Sequence, residues 1–230
     1  MRFSVLAAAL LLGACISTEM PATPAAAEQA SAAAAPGIPF GENASLNPAD
    51  APTGAYTLDG RHASVTWRLR HMGLGIFTAR FDTISGALNF DAANPANSGI
   101  DVTIAANSVS TGVLSREGQR AFDAEIANGV LGAEANPNIR FVSRSIQLTG
   151  PTTGLIVGDL TLRGQTHPVT LEANFQGGRF VQFAGKHVIA FTARTMIERS
   201  RWGANFANPI VDGTTTNQVE ILIAAEFRKD

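Results

Sequence analysis

Residues 155–176 read LIVGDLTLRGQTHPVTLEANFQ, and this stretch decides the fold. In its second half Val169, Leu171, Ala173 and Phe175 alternate with Thr170, Glu172 and Asn174. Alternation with period two gives an extended strand one apolar face and one wet face. Gly164-Gln165 joins Leu155–Arg163 to Thr166–Gln176 as a two-residue connection with glycine first, which suits a type II′ turn. The stretch reads as an antiparallel hairpin.

The same period recurs on both sides of it. Val65, Trp67 and Leu69 alternate with Thr66, Arg68 and Arg70, and Ile100, Val102 and Ile104 with Asp101 and Thr103. Val219, Ile221, Ile223, Ala225 and Phe227 end the chain in the same way. Phe77–Asp91, Ile139–Thr149 and Lys186–Ile197 fit further strands, and Gly177-Gly178 suits another reversal. One segment departs from the period: Phe122, Ile126 and Val130 are spaced by four, which predicts a helix within Ser115–Leu131 with Ser115 as its N-cap. Strands do not alternate with helices, so a parallel sheet is not expected. The expected class is all-β, an eight-stranded antiparallel lipocalin-like barrel with one or two short helices. Eight strands leave room for one ligand. Periodicity alone does not separate such a barrel from a sandwich packed solid.

The N-terminus obeys different rules. Met1-Arg2, an apolar run from Val5 to Leu12 and Gly13-Ala14-Cys15 form a secretory signal too short to span a bilayer. Leu12-Gly13-Ala14-Cys15 resembles the bacterial lipobox, in which the cysteine is acylated and becomes the mature N-terminus. Ile16 after it, by resemblance to Gram-negative lipoproteins, favours the outer membrane. The other reading is an ordinary signal cut elsewhere. Residues 16–54 are rich in Ala, Pro and small polar residues and have few large apolar groups to offset ordering entropy. They are expected to form a flexible tether. The expected organisation is therefore 1–15 signal with lipobox cysteine, 16–54 tether and 55–230 barrel, in a periplasmic, membrane-anchored lipoprotein.

Composition narrows the chemistry. The net charge is −2, and residues 55–230 carry 16 Lys+Arg against 15 Asp+Glu, so nothing points to nucleic acid. Cys15 is the only cysteine, which excludes an internal disulfide and a thiolate metal site. No G-x-S-x-G elbow, H-E-x-x-H pair or glycine-rich phosphate loop is present. His62, His71, His167 and His187 have no ligand spacing among them. No catalytic residue, metal or cofactor is expected. His71, at the end of the Val65–Leu69 strand, reads either as a pocket-rim donor or as a turn cap. Arg199 reads either as a fork for an anionic or carbonyl head group, or as an ion pair to Asp59 or Asp159. Trp67, Phe81, Phe90, Phe141 and Phe191 lie on separate strands, where inward-facing aromatics either fill a core or line a pocket.

At these residues the chain resembles the YceI-like family of polyisoprenoid-binding, lipocalin-like barrels, from about Tyr56 to Phe227. The resemblance rests on ordered motifs. Tyr56-Thr57-Leu58-Asp59 and His62-Ala63-Ser64 come first, then His71-Met72-Gly73 and Ser85-Gly86-Ala87-Leu88-Asn89-Phe90-Asp91. Asn107–Thr111, Asn136–Phe141, Gly158–Val169 and Glu198-Arg199-Ser200 with Gly203 follow. It departs at Ala79, where a glycine is common, and in 118–135, which lacks an aromatic-rich helix end. The resemblance implies an eight-stranded barrel with a long apolar cavity, a bound isoprenoid lipid such as a quinone or polyprenyl phosphate, and no catalysis. Trp67, His71, Phe81, Phe90, Phe141, Phe191 and Arg199 are the candidate ligand contacts. An enzyme acting on such a lipid and an envelope-interaction module with a filled barrel are the rival readings. The sequence does not set the oligomeric state, and a homodimer is one state it allows.

Overall fold

The computed structural model describes residues 44–204 and 217–230. The expected signal segment with Cys15, and residues 16–43 of the expected tether, lie outside the described residues.

The strands are β1 (Gly54–His71), β2 (Gly75–Phe81), β3 (Ile84–Phe90), β4 (Gly99–Ala105), β5 (Val109–Ser110), β6 (Asn138–Leu148), β7 (Thr153–Leu162), β8 (Gln165–Val181), β9 (Lys186–Glu198) and β10 (Gln218–Lys229). All pair antiparallel. The order β1-β3-β4-β6-β7-β8-β9-β10 returns to β1, so eight strands close a barrel as expected. Closure removes both sheet edges and turns one face of every strand inward. The Phe77–Asp91 strand is broken at Asp82-Thr83, because β1 itself bends. The first half of β1 pairs with β3 (Tyr56 opposite Leu88), and its second half pairs with β2 (Trp67 opposite Ala79).

The bend comes from a bulge. Leu58 and Ala63 oppose Phe227 and Ala225 of β10, so extra residues are packed into β1 between them. Asp59, only 7% exposed, holds this bulge together. Its carboxylate accepts from the Arg61 amide (3.1 Å) and from His62 Nδ1 (2.7 Å), and pairs with the Arg228 guanidinium. Burial pushes the Asp59 carboxyl up, but the His62 and Arg61 hydrogen bonds and the Arg228 charge outweigh it and hold the pKa below the ordinary value. A lowered folded-state pKa contributes stability that is present above the unfolded pKa, about 3.9, and is lost as pH falls through the folded value. Asp59→Ala should therefore cost about 2 kcal/mol at neutral pH. The gap to the unsubstituted protein should close below about pH 4. Denaturant melts across pH check both statements, and a pH-independent gap would refute the linkage.

Three further expectations are corrected. The β7–β8 turn is made by Arg163 and Gly164, with φ of 53° and 73° and Leu162 opposite Gln165. Two successive positive φ angles are the type I′ signature, not II′; the extra twist matches that of the flanking strands. Gly177-Gly178 makes no reversal. It lies inside β8 just past a bulge at Phe175/Gly177, and the chain turns instead at Gln182–Gly185. Residues 45–52, expected in the tether, pack on the barrel. Ser45 forms a β-bridge with Gly178, Ala51 is buried in the core, and Pro52 O accepts from the hydroxyl of the fully buried Tyr56 at 2.6 Å.

The helix is shorter than the spacing predicts. α1 (Ala121–Glu125) begins after Arg120, and one π-helical turn carries it on from Ile126 to Val130. Ser115 does not cap it; its hydroxyl accepts from the amides of Glu117 and Gln119 in the preceding loop.

Candidate ligand-binding cavity

The inward faces enclose a cavity of about 290 Å³ with an almost wholly apolar lining. Its space has an identifiable origin. Gly154, Ala173 and Ala193 stand in one cross-strand row over β7, β8 and β9, continued by Ile223 and Val65. Three small side chains side by side leave a hollow where larger ones would fill the barrel. On β6 and β1 the wall is built instead from Phe141 and Trp67.

One end of the cavity is a lid. Ile126, Leu131, Leu162 and Ala204 line it and are buried. Two side-chain anchors hold the helix there. Asp123, 8% exposed, accepts from the Thr111 amide (2.8 Å), the Thr111 hydroxyl (2.6 Å) and Arg120 (3.2 Å). Burial pushes its pKa up, but these donors prevail and keep it lowered. Arg163 Nη1 donates to the carbonyls of Val130 (2.8 Å) and Gly129 (3.3 Å), which the helix end leaves unsatisfied. Trp202, fully buried, donates from Nε1 to Leu160 O at 3.0 Å and stands edge-on to His167.

The other end is the mouth. Lining residues that solvent also reaches, Leu148, Pro151 and Thr153, cluster at the β6–β7 turn. Beside the mouth an aromatic floor closes the barrel. Phe191 packs on Phe175 (5.3 Å between centroids), Phe227 (6.1 Å) and Phe90 (6.4 Å).

Of the candidate contacts, Trp67, Phe81, Phe90, Phe141, Phe191 and Arg199 all line this one cavity. Phe90 and Phe191 belong to the floor. Trp67 packs on Phe77, and Phe77 packs edge-on against Phe122, which joins the wall to the lid helix. Arg199 is 7% exposed and is the one charged lining side chain among the described residues. Its Nη1 donates to Ala204 O at 2.5 Å, and burial lowers its pKa from the ordinary value. It does not pair with Asp59, which Arg228 and His62 hold, nor with Asp159, which Arg144 holds at 2.6 Å. His71 does not reach the cavity. It is exposed at the tip of the β1–β2 ribbon, which projects past the start of β10, and its carbonyl accepts from Leu74 N.

The sequence does not single out Phe175, Phe227, Gly154 or Ala193 as cavity residues, whereas alternation places Ala173 on an inward face. The aromatic pair fits ordinary core equally well. Gly154 and Ala193 carry no signal until the register sets them beside Ala173. Among the described residues, Asp59, His62 and Glu226 alone form a His/carboxylate group tight enough to share an ion, with ligand atoms within 4.8 Å of one another. Arg228 already occupies the Asp59 carboxylate, so the group is read as the clasp of the β1 bulge.

Comparison with known proteins agrees with this architecture. The YceI-like domain model matches residues 56–227. Protein YceI of Salmonella arizonae is 32% identical over 168 residues, covering 73% of this chain and 82% of that protein. The crystal structure of BcnA from Burkholderia cenocepacia superposes with a TM-score of 0.63 at 19% identity, covering 74% of this chain and 98% of that one. A polyisoprenoid binding domain from Saccharophagus degradans, implicated in plant cell wall breakdown, superposes with a TM-score of 0.57 at 14% identity, covering 76% and 98%. At these identities the two solved structures speak to the fold.

Proposed function

The chain belongs to the YceI-like family, and on that premise we propose that it is a periplasmic, lipid-anchored carrier that holds an isoprenoid lipid in its barrel. The ligand is of quinone or polyprenyl phosphate type, and no bond is made or broken in it. The carrying observation is the apolar cavity: a closed barrel with room inside, open at one end. A flexible branched hydrocarbon suits such a wall, because burial contributes near 25 cal/mol per Å² without directional partners. Arg199, at the lid end, is the side chain for a carbonyl or anionic head group. The polyisoprenoid binding named for the Saccharophagus domain supports the same ligand class. At about 290 Å³ the cavity is near the small end of ligand pockets, about 300–1,000 Å³. A long prenyl chain would therefore extend through the mouth. A filled barrel is disfavoured by the same hollow, and among the described lining residues no nucleophile–base pair supports the enzyme reading.

Native mass spectrometry of protein purified from membranes tests the proposal. A bound mass in steps of one isoprene unit is expected; repeated purification without any lipid, together with no uptake of an added prenyl quinone, would overturn it. The anchor is tested separately. Cys15→Ser should turn membrane association that survives a high-salt wash into association that salt strips off, since acyl burial does not depend on ionic strength. Salt-resistant association of the serine variant would refute acylation at Cys15.

A further inference from the structure

We infer that the mouth end of the barrel, led by the β8–β9 tip, docks on an anionic phospholipid leaflet, so that the cavity opens toward the bilayer. The inference deepens the carrier reading and rests on it for its purpose. Four exposed apolar side chains mark this end: Phe183 at 95%, Leu46 and Leu148 at 48% and Phe180 at 47%. Phe183 sits at the apex of the Gln182–Gly185 turn and is almost wholly in solvent. Leu46 follows Ser45, which bridges to Gly178 of the same hairpin. Leu148 is on the cavity wall itself.

The hairpin is built to protrude from the rim beside the mouth. β7 begins at Thr153 opposite Asn174, Phe175 N donates to Thr152 O at 2.7 Å, and β8 then runs on to Val181. The segment also has the charge for a lipid surface. Between Gly177 and Ile189 it carries Arg179, Lys186 and His187 and no acidic residue. Arg179 and Lys186 are exposed, and neither forms an ion pair among the described residues. An exposed aromatic flanked by unpaired cations is the composition of an interfacial anchor. Ala44 and Ser45, the first described residues, lie against Gly177 at this same rim.

The opposite end also shows apolar residues, Met72, Leu74 and Ile76, on the β1–β2 tip. The cations of this tip are engaged: Arg68 pairs with Glu220, and Arg70 donates to Leu74 O at 3.0 Å. No mouth residue lies there, so this end serves as the internal control.

The test uses the exported full chain carrying Cys15→Ser, which cannot be acylated, and vesicles of phosphatidylethanolamine and phosphatidylglycerol in equal parts. Co-sedimentation is expected, weakened by salt and on phosphatidylcholine alone. Phe183→Ser should lower partitioning about tenfold or more, and Arg179→Gln or Lys186→Gln about fivefold each, whereas Leu74→Ser should change nothing. Uptake of a short-chain prenyl quinone in vesicle-free solution should be equal in all of these variants. No vesicle binding, or binding lost with Leu74→Ser and kept with Phe183→Ser, overturns the docking surface. A concentration-dependent dimer dissolved by Phe183→Ser, with no vesicle binding, also overturns it and assigns the rim to a second copy. Loss of quinone uptake with docking intact counts against the carrier reading alone.

Discussion

Ala173→Phe should remove prenyl-lipid binding while leaving the melting temperature within a few degrees of the unsubstituted protein. Ala173 lies in the row with Gly154 and Ala193, and its Cβ faces the hollow rather than a packed neighbour. In a filled core, the added ring would be overpacking and cost typically about 1–3 kcal/mol. Here it enters space that already exists and adds apolar contact with the far wall. The ligand loses what the ring gains. Displacing about 100 Å² of ligand contact at about 25 cal/mol per Å² is about 2.5 kcal/mol, near a hundredfold in Kd. Thermal denaturation and equilibrium titration with a prenyl quinone read the two quantities independently. A stability loss above about 2 kcal/mol with unchanged affinity would mean that the hollow is not the binding site.

Gly158→Ala should do the opposite and damage the fold. Gly158 is on β7 opposite Ser143, beside the bulge that shifts the β6 register between Ser143 and Ser145. The Phe141 ring lies directly over it. An added Cβ would collide with Phe141 Cζ, and would stand 2.5 Å from Val142 O and 2.7 Å from Phe141 Cε2. The ring alone can tilt into the cavity; the carbonyl cannot move without shifting β6. A cost of about 3 kcal/mol, or roughly 10 °C in Tm for a domain of this size, is expected. Phe141→Leu in the Gly158→Ala background should recover part of it, because the ring contact is relieved and the backbone contact is not. A loss below about 1 kcal/mol, or no recovery in the double variant, would show that the strands do not approach so closely.

Much of this protein is legible one residue at a time. Alternation in Val169–Phe175 or Val219–Phe227 reports a strand with one buried face, because side chains leave a strand on alternate sides whatever it pairs with. The inward aromatics Trp67, Phe81, Phe90, Phe141 and Phe191 follow from the same parity, and all line the one cavity. The ordered motifs from Tyr56 to Gly203 carry the family by themselves, and the YceI-like model matches residues 56–227. Local conformational detail was less accessible. Gly164 marked a turn, yet whether Arg163 or Gln165 shares it depends on register, and register is a property of two strands together. Ser115 had the chemistry of an N-cap, but Asp123 is bonded to Thr111 and the helix starts later.

Other features belong to the tertiary structure alone. His71 and Arg199 looked equivalent as polar residues after apolar strands. One ends on a ribbon beyond the rim and the other on the cavity wall, because β1 outruns β10 while Arg199 follows β9 into the lid. Asp59 looked like a candidate partner for Arg199, and became the clasp of a bulge that only the β1–β10 pairing creates. The hollow is the clearest case. Gly154, Ala173 and Ala193 are one glycine and two alanines in three separate segments of sequence, and only Ala173 is placed inward by alternation. They make space only when three strands align them, since a cavity is the volume that neighbouring side chains jointly fail to fill.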